Sequence, residues 1–186
     1  MSLESAYVIK WYGPFSCRKT ESCWERNLKF KCNLYLIKGK EPNQRKCRFY
    51  CGITRAQQGV FKRFQNTNHP IKSMELRDGL EIWVGRLSNI RRSASFEDHV
   101  FLCEKIITSV MTQIELDSNE IRNATNFSAP DTNVYVINEW YSPEGRKWDK
   151  IKGKDVPQVV PDVIAFNAVT HAAYYTERLM NKTEMD

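Results

Sequence analysis

The sequence predicts an α+β fold: a small three-stranded sheet, mixed or antiparallel, flanked by helices, with extensions at both ends of the chain. Three observations carry that expectation. Two short runs with period-two alternation, NLYLI and RFYCGIT, lie close together across a polar loop. A third run, GLEIWVGRL at residues 79–87, alternates in the same way. Apolar positions at helical spacing in VFKRF and in SFEDHVFLCEKIITSVM then supply the helices. The expected division is residues 1–31 as an N-terminal extension, 32–125 as the core and 126–186 as a C-terminal extension.

Composition narrows the class. With 186 residues the chain is long enough to bury a core, and 27% charged against 41% hydrophobic residues argues against wholesale disorder. A net charge of +6 and a pI near 9.0 favour a polyanionic partner such as nucleic acid. There is no apolar run long enough to span a membrane and no secretory leader pattern, so no membrane association and a cytoplasmic location are expected. That compartment keeps thiols reduced, and the six cysteines include no CxxC pair, so they read as small buried hydrophobes rather than as disulfides or a zinc site.

In chain order, AYVIKWYG near the N-terminus reads as a strand, ending at Gly13-Pro14. It would serve as an added edge strand or as a DNA-contacting arm. In NLYLI, Leu34 and Leu36 share one face while Tyr35 takes the other. In RFYCGIT, Phe49, Cys51 and Ile53 oppose Tyr50, Gly52 and Thr54. If the apolar faces share a core, both tyrosines emerge on a polar side, beside a glycine that leaves room for a ligand. The connecting loop carries Lys38, Lys40, Arg45, Lys46 and Arg48, read either as a solvated basic loop or as phosphate contacts.

After Thr54, Val60, Phe61 and Phe64 form an apolar stripe with Arg63 on its border. His69 follows in a loop. In the third strand, Leu80, Ile82 and Val84 oppose Glu81, Trp83 and Gly85, and Arg91 and Arg92 come next. The long helix has Ser95 as N-cap candidate, and Glu97 and Asp98 favour its dipole. Val100, Ile107 and Met111 form its stripe, with Glu104 inside it, where a carboxylate is costly unless paired or bound to a cation. Beyond the core, NVYVINEWYSPEGRKWDKI reads as a hairpin and FNAVTHAAYYTERLM as a terminal helix. Trp140, Tyr141 and Trp148 with nearby Arg146 and Lys147 either stack on nucleic acid or pack inside.

These residues resemble the GIY-YIG nuclease superfamily. Its paired tripeptides stand here as Leu34-Tyr35-Leu36 and Tyr50-Cys51-Gly52, followed by Thr54 and then by Arg63 on the next helix. The first tripeptide lacks the family glycine. The resemblance implies a metal-dependent endonuclease that hydrolyses phosphodiester bonds of double-stranded DNA. It assigns Glu104 to one Mg²⁺ or Mn²⁺ ion, Arg63 to the scissile phosphate, Tyr35 to the proton of the attacking water, and Tyr50 to orienting water or phosphate. His69 is the candidate proton relay, and Asn119 or Asn123 the structural asparagine. Lys38, Lys40, Arg45, Lys46, Arg55, Lys62, Arg91 and Arg92 would contact DNA. A non-catalytic nucleic-acid-binding module is the alternative.

Overall fold

The computed structural model describes residues 4–16, 32–40, 47–54, 60–64, 68, 80–90, 95–114, 119–121, 130–147 and 156–176. In chain order these form β1 (Glu4–Ser16), β2 (Leu34–Gly39), β3 (Cys47–Ile53), α1 (Val60–Phe64), β4 (Glu81–Leu87), α2 (Phe96–Gln113), β5 (Asn119–Ile121), β6 (Asn133–Tyr141), β7 (Val163–Asn167) and β8 (Ala172–Thr176). All eight strands join one mixed sheet in the order β5-β3-β2-β4-β1-β6-β7-β8.

This corrects the expected three-stranded sheet flanked by helices. The sheet is the body of the fold, curled, and α2 is the single long helix among the described residues. The three expected strands are present: β2 lies between β3 and β4 and runs antiparallel to both. The sheet continues past β4 because β1 pairs with it antiparallel and then with β6 in parallel. A tight turn announces an antiparallel hairpin in the sequence, whereas a parallel pair between distant segments leaves no local signal. β1 is therefore an interior strand rather than an edge or an arm.

The expected terminal helix is also corrected. Residues 163–176 form the antiparallel pair β7 and β8. Their connection is organised by Asn167, whose side-chain oxygen accepts hydrogen bonds from the backbone N–H groups of Val169 (2.9 Å) and Thr170 (3.1 Å). An asparagine bonding its own following backbone stabilises a turn against a helix.

Both faces of the sheet are apolar. On one, α2 covers a core that includes Trp11, Leu34, Leu36, Phe49, Cys51, Trp83, Val136 and Ile164. On the other, Val60 and Phe64 of α1 pack with Tyr12, Phe15, Tyr35, Ile37, Leu80, Ile82 and Val84. The alternation read from the sequence holds, but the face expected to be polar carries a second core. Tyr12 and Phe15 share that face because the register between β1 and β4 shifts between them. The bulge passes through Gly13, where a Cβ would lie 2.6 Å from the Ile82 carbonyl oxygen.

The α2 stripe is as read: Val100, Glu104, Ile107 and Met111 are all buried. Ser95 precedes the helix without a side-chain cap, and its carbonyl accepts from the Asp98 N–H at 3.1 Å. No helix among the described residues is long and apolar enough to cross a membrane.

A buried polar network ties the later segments to the sheet. The stacked indoles of Trp11 and Trp140 donate to Asn138 Oδ1 (2.8 Å) and Asp162 Oδ1 (2.9 Å), and Asn138 Nδ2 donates to the Pro161 carbonyl (2.7 Å). Trp140 is thus packed inside, while Tyr141 points to the opposite face and stacks on Tyr12.

Candidate functional site

Residue Tyr35 on β2 is directly opposite Gly52 on β3, and Tyr50 is its diagonal neighbour. The two phenol rings stack with centroids 5.9 Å apart and 17° between planes, and Phe64 of α1 meets Tyr35 edge-on at 5.0 Å. Tyr35 is fully buried, Tyr50 is half-buried and Arg63 is exposed. The space over Gly52 is not left for a ligand: a Cβ there would lie 2.5 Å from the Tyr35 hydroxyl oxygen. The glycine makes room for a tyrosine.

The Tyr35 hydroxyl is the hub. It accepts from the Arg63 guanidinium and donates to the Tyr50 oxygen, so an exposed cation is anchored to a buried phenol and through it to a half-exposed one. Burial, and then the neighbouring Tyr50, push the Tyr35 phenol far above its ordinary value, and Arg63 offsets only part of this. Tyr50 is also raised, first by burial and further by Glu104, but its hydrogen bond with Tyr35 and the charge of Arg63 act downward. Tyr50 is therefore the oxygen that accepts, and Tyr35 the one that keeps its proton. This argues against Tyr35 as the base.

Glu104 sits on α2, whose core includes Cys51, on the sheet face opposite Tyr35. Yet its charge acts on both Tyr50 and Cys51. Strand β5 pairs only with Cys47–Phe49, so among the described residues no strand pairs with the outer side of Tyr50–Ile53. Burial raises the Glu104 pKa, while Lys105 and Thr108 act in the opposite direction. The buried Thr108 hydroxyl lies beside Glu104 and Cys51 without forming a hydrogen bond of good geometry.

Lys38 is ion-paired with Glu81 at 2.8 Å, on the face away from Tyr35, and Lys40 is exposed just past β2. His69, Arg45, Lys46, Arg55, Arg91, Arg92, Asn123 and Trp148 lie outside the described residues, as does the side chain of Lys62. Asn33 clips the strand ends together: its carbonyl accepts from the Thr54 N–H at 2.8 Å, and its Nδ2 donates to the Thr54 carbonyl at 3.2 Å.

Cys32, Cys47, Cys51 and Cys103 are free thiols. Burial pushes the Cys32 thiol up to about 12, and it raises Cys51 and Cys103 as well, as suits inert packing residues. Among the described residues no group of three or more His, Cys, Asp or Glu side chains is positioned to hold a metal ion. A cation here would rest on the single carboxylate of Glu104, with water and phosphate oxygens completing its shell. Such a donor set suits Mg²⁺, which keeps several waters and borrows substrate oxygens.

Residues missed by the sequence reading lie on the same face as Tyr35. Lys10 and Tyr12 on β1, Arg86 on β4 and Glu139 on β6 are positioned there. Alternation in VIKWY groups Lys10 with Tyr12, but only the interior position of β1 joins them to the tyrosine pair. No family model, curated protein or solved structure matches the chain.

Proposed function

We propose that this chain is a divalent-metal-dependent endonuclease that hydrolyses DNA phosphodiester bonds at Arg63, Tyr35 and Tyr50, with Glu104 as the carboxylate for one Mg²⁺ or Mn²⁺. The observation that carries the reading is the Tyr35 hydroxyl, which joins the exposed Arg63 guanidinium to the Tyr50 oxygen. A planar guanidinium held by a buried anchor suits bidentate pairing with a phosphate.

In this reading Arg63 binds the scissile phosphate and faces the charge that grows on it. Tyr35 holds Arg63 and Tyr50 in register and keeps its own proton. Tyr50, as acceptor, orients the attacking water. A bound Mg²⁺ supplies charge neutralisation and an acidified water. The free thiols fit a reducing compartment, and the cytoplasm is the proposed location.

A second reading, a nucleic-acid-binding module without catalysis, is favoured by one observation: Glu104 is buried on the α2 side of the sheet. Incubating plasmid DNA with the protein and Mg²⁺, with and without EDTA, separates the two. Nicking that EDTA abolishes supports the nuclease; DNA binding with no nicking at any Mg²⁺ or Mn²⁺ concentration supports the module.

A further inference from the structure

Among the described residues, the Thr108 hydroxyl on α2 is a buried side-chain oxygen with no hydrogen-bond partner, and it lies next to the candidate cation ligand. Thr108 is 1% exposed. A hydroxyl in that position is costly, because it has given up water without gaining a partner. A helix offers threonine an ordinary remedy, which is to donate to a backbone carbonyl of the preceding turn. Thr112, one turn further along, adopts it: its hydroxyl donates to the Ser109 carbonyl at 2.7 Å. Thr108 does not.

Volume alone does not call for a hydroxyl here. Cys103, Ile106, Ile107, Val110 and Met111, its neighbours along α2, are buried and apolar, and valine has the shape of threonine without the O–H. What singles the position out is its spacing from Glu104. Residues four apart on a helix are neighbours, with about 5–6 Å between their Cβ atoms. The Thr108 hydroxyl lies beside the Glu104 carboxyl and the Cys51 thiol. Once ionised, the carboxylate is the stronger acceptor of the two, because a charge-assisted hydrogen bond is about twice as strong as a neutral one. A thiol accepts weakly.

We propose that Thr108 is the positioning residue of the Glu104 carboxylate: its hydroxyl donates to one carboxylate oxygen while the other bears the divalent cation. The inference rests on the proposed nuclease reading, in which Glu104 holds Mg²⁺ or Mn²⁺, and deepens it by naming the group that orients the ligand. The terminal torsion of a glutamate is soft, so turning the carboxyl plane brings hydroxyl and carboxylate into line. With one oxygen fixed by Thr108, the plane is fixed and the second oxygen keeps one direction. Among the described residues no group of three or more His, Cys, Asp or Glu side chains converges on an ion, so the direction of this one carboxylate decides where the ion sits.

The test is Mn²⁺ binding by the full chain at neutral pH without DNA, read as the loss of the free-ion electron paramagnetic resonance signal. Thr108→Val is expected to bind Mn²⁺ about tenfold or more weakly than wild type, as when a hydrogen bond to a ligating group is removed. Thr108→Ser keeps the hydroxyl and is expected to bind as wild type does. Equal affinity of wild type and Thr108→Val, with binding lost in Glu104→Gln, would overturn the positioning role and leave Glu104 as the cation ligand. Equal weakening by Thr108→Val and Thr108→Ser also overturns it, because the effect would then trace to packing and not to the hydroxyl. Thr108→Ala replaces the valine variant, with the same two readings, should valine prevent folding. Binding by Glu104→Gln equal to that of wild type, or no binding by wild type, overturns the Glu104 assignment and the inference with it.

Discussion

The hydroxyl of Tyr35 occupies the space that a side chain at Gly52 would need: a Cβ at residue 52 would lie 2.5 Å from that oxygen and 2.8 Å from Cε1 of Tyr50. Gly52→Ala is therefore an overpacking change at the centre of the site. It is expected to cost about 1–3 kcal/mol, measured by urea unfolding. Gly145 is the comparison, because a Cβ there would meet no atom within 4 Å while its φ is +85°; alanine at this position meets backbone strain and no clash. Equal stability of Gly52→Ala and wild type would refute the close approach.

Tyr35→Phe keeps the ring and removes the hub of the hydrogen-bond network. The loss should be about 1–2 kcal/mol of stability, since a buried donor and acceptor lose their partner. Cleavage should fall because Arg63 and Tyr50 are no longer tied together. The pH–rate profile of wild type should show no inflection assignable to Tyr35 below pH 10, because burial raises its pKa above the ordinary value of 10.0. Full cleavage by Tyr35→Phe would remove Tyr35 from the site.

Glu104 gives a pH test. Burial raises its folded pKa above 4.5, so the fold favours the neutral acid. That contribution is complete below pH 4.5 and is lost as pH rises through the raised folded value. Glu104→Gln stays neutral throughout, so wild type should lose thermal stability relative to this variant as pH rises from 4.5 towards neutrality. Mg²⁺ at neutral pH should restore the wild type and leave Glu104→Gln unchanged. Parallel melting curves for both proteins across this range would contradict the buried carboxylate.

Asn138→Leu tests the link between the core and the segment after β6. It strands the Trp11 indole N–H and the Pro161 carbonyl, which Asn138 satisfies at 2.8 Å and 2.7 Å. The expected cost is about 1–3 kcal/mol for each buried group left unsatisfied. Chemical denaturation reads it, and a neutral result would show that the network contributes nothing.

Legibility in the sequence followed the range of each interaction. Alternation placed Leu34, Leu36, Phe49 and Cys51 on one face and Tyr35 and Tyr50 on the other, and helical spacing placed Glu104 in a buried stripe. These are local periodicities. The second apolar face was hidden because Tyr35 reads as polar until Gly52 and Phe64 are seen to enclose it. The parallel pairing of Trp11 with Trp140 spans distant segments and has no turn to announce it. Asn167 turned an apparent helix into a hairpin through two side-chain hydrogen bonds that helical periodicity ignores.

The most direct measurement is the single-turnover rate at which wild type and Arg63→Ala cleave a labelled DNA duplex in Mg²⁺, each at saturating protein. Arg63 is exposed and anchored by Tyr35, so its loss should leave the fold intact and remove charge stabilisation at the phosphate. The expected result is EDTA-sensitive cleavage by wild type and a rate about 10²-fold or more lower for Arg63→Ala. No cleavage by wild type, or equal rates for the two proteins, would contradict the nuclease assignment.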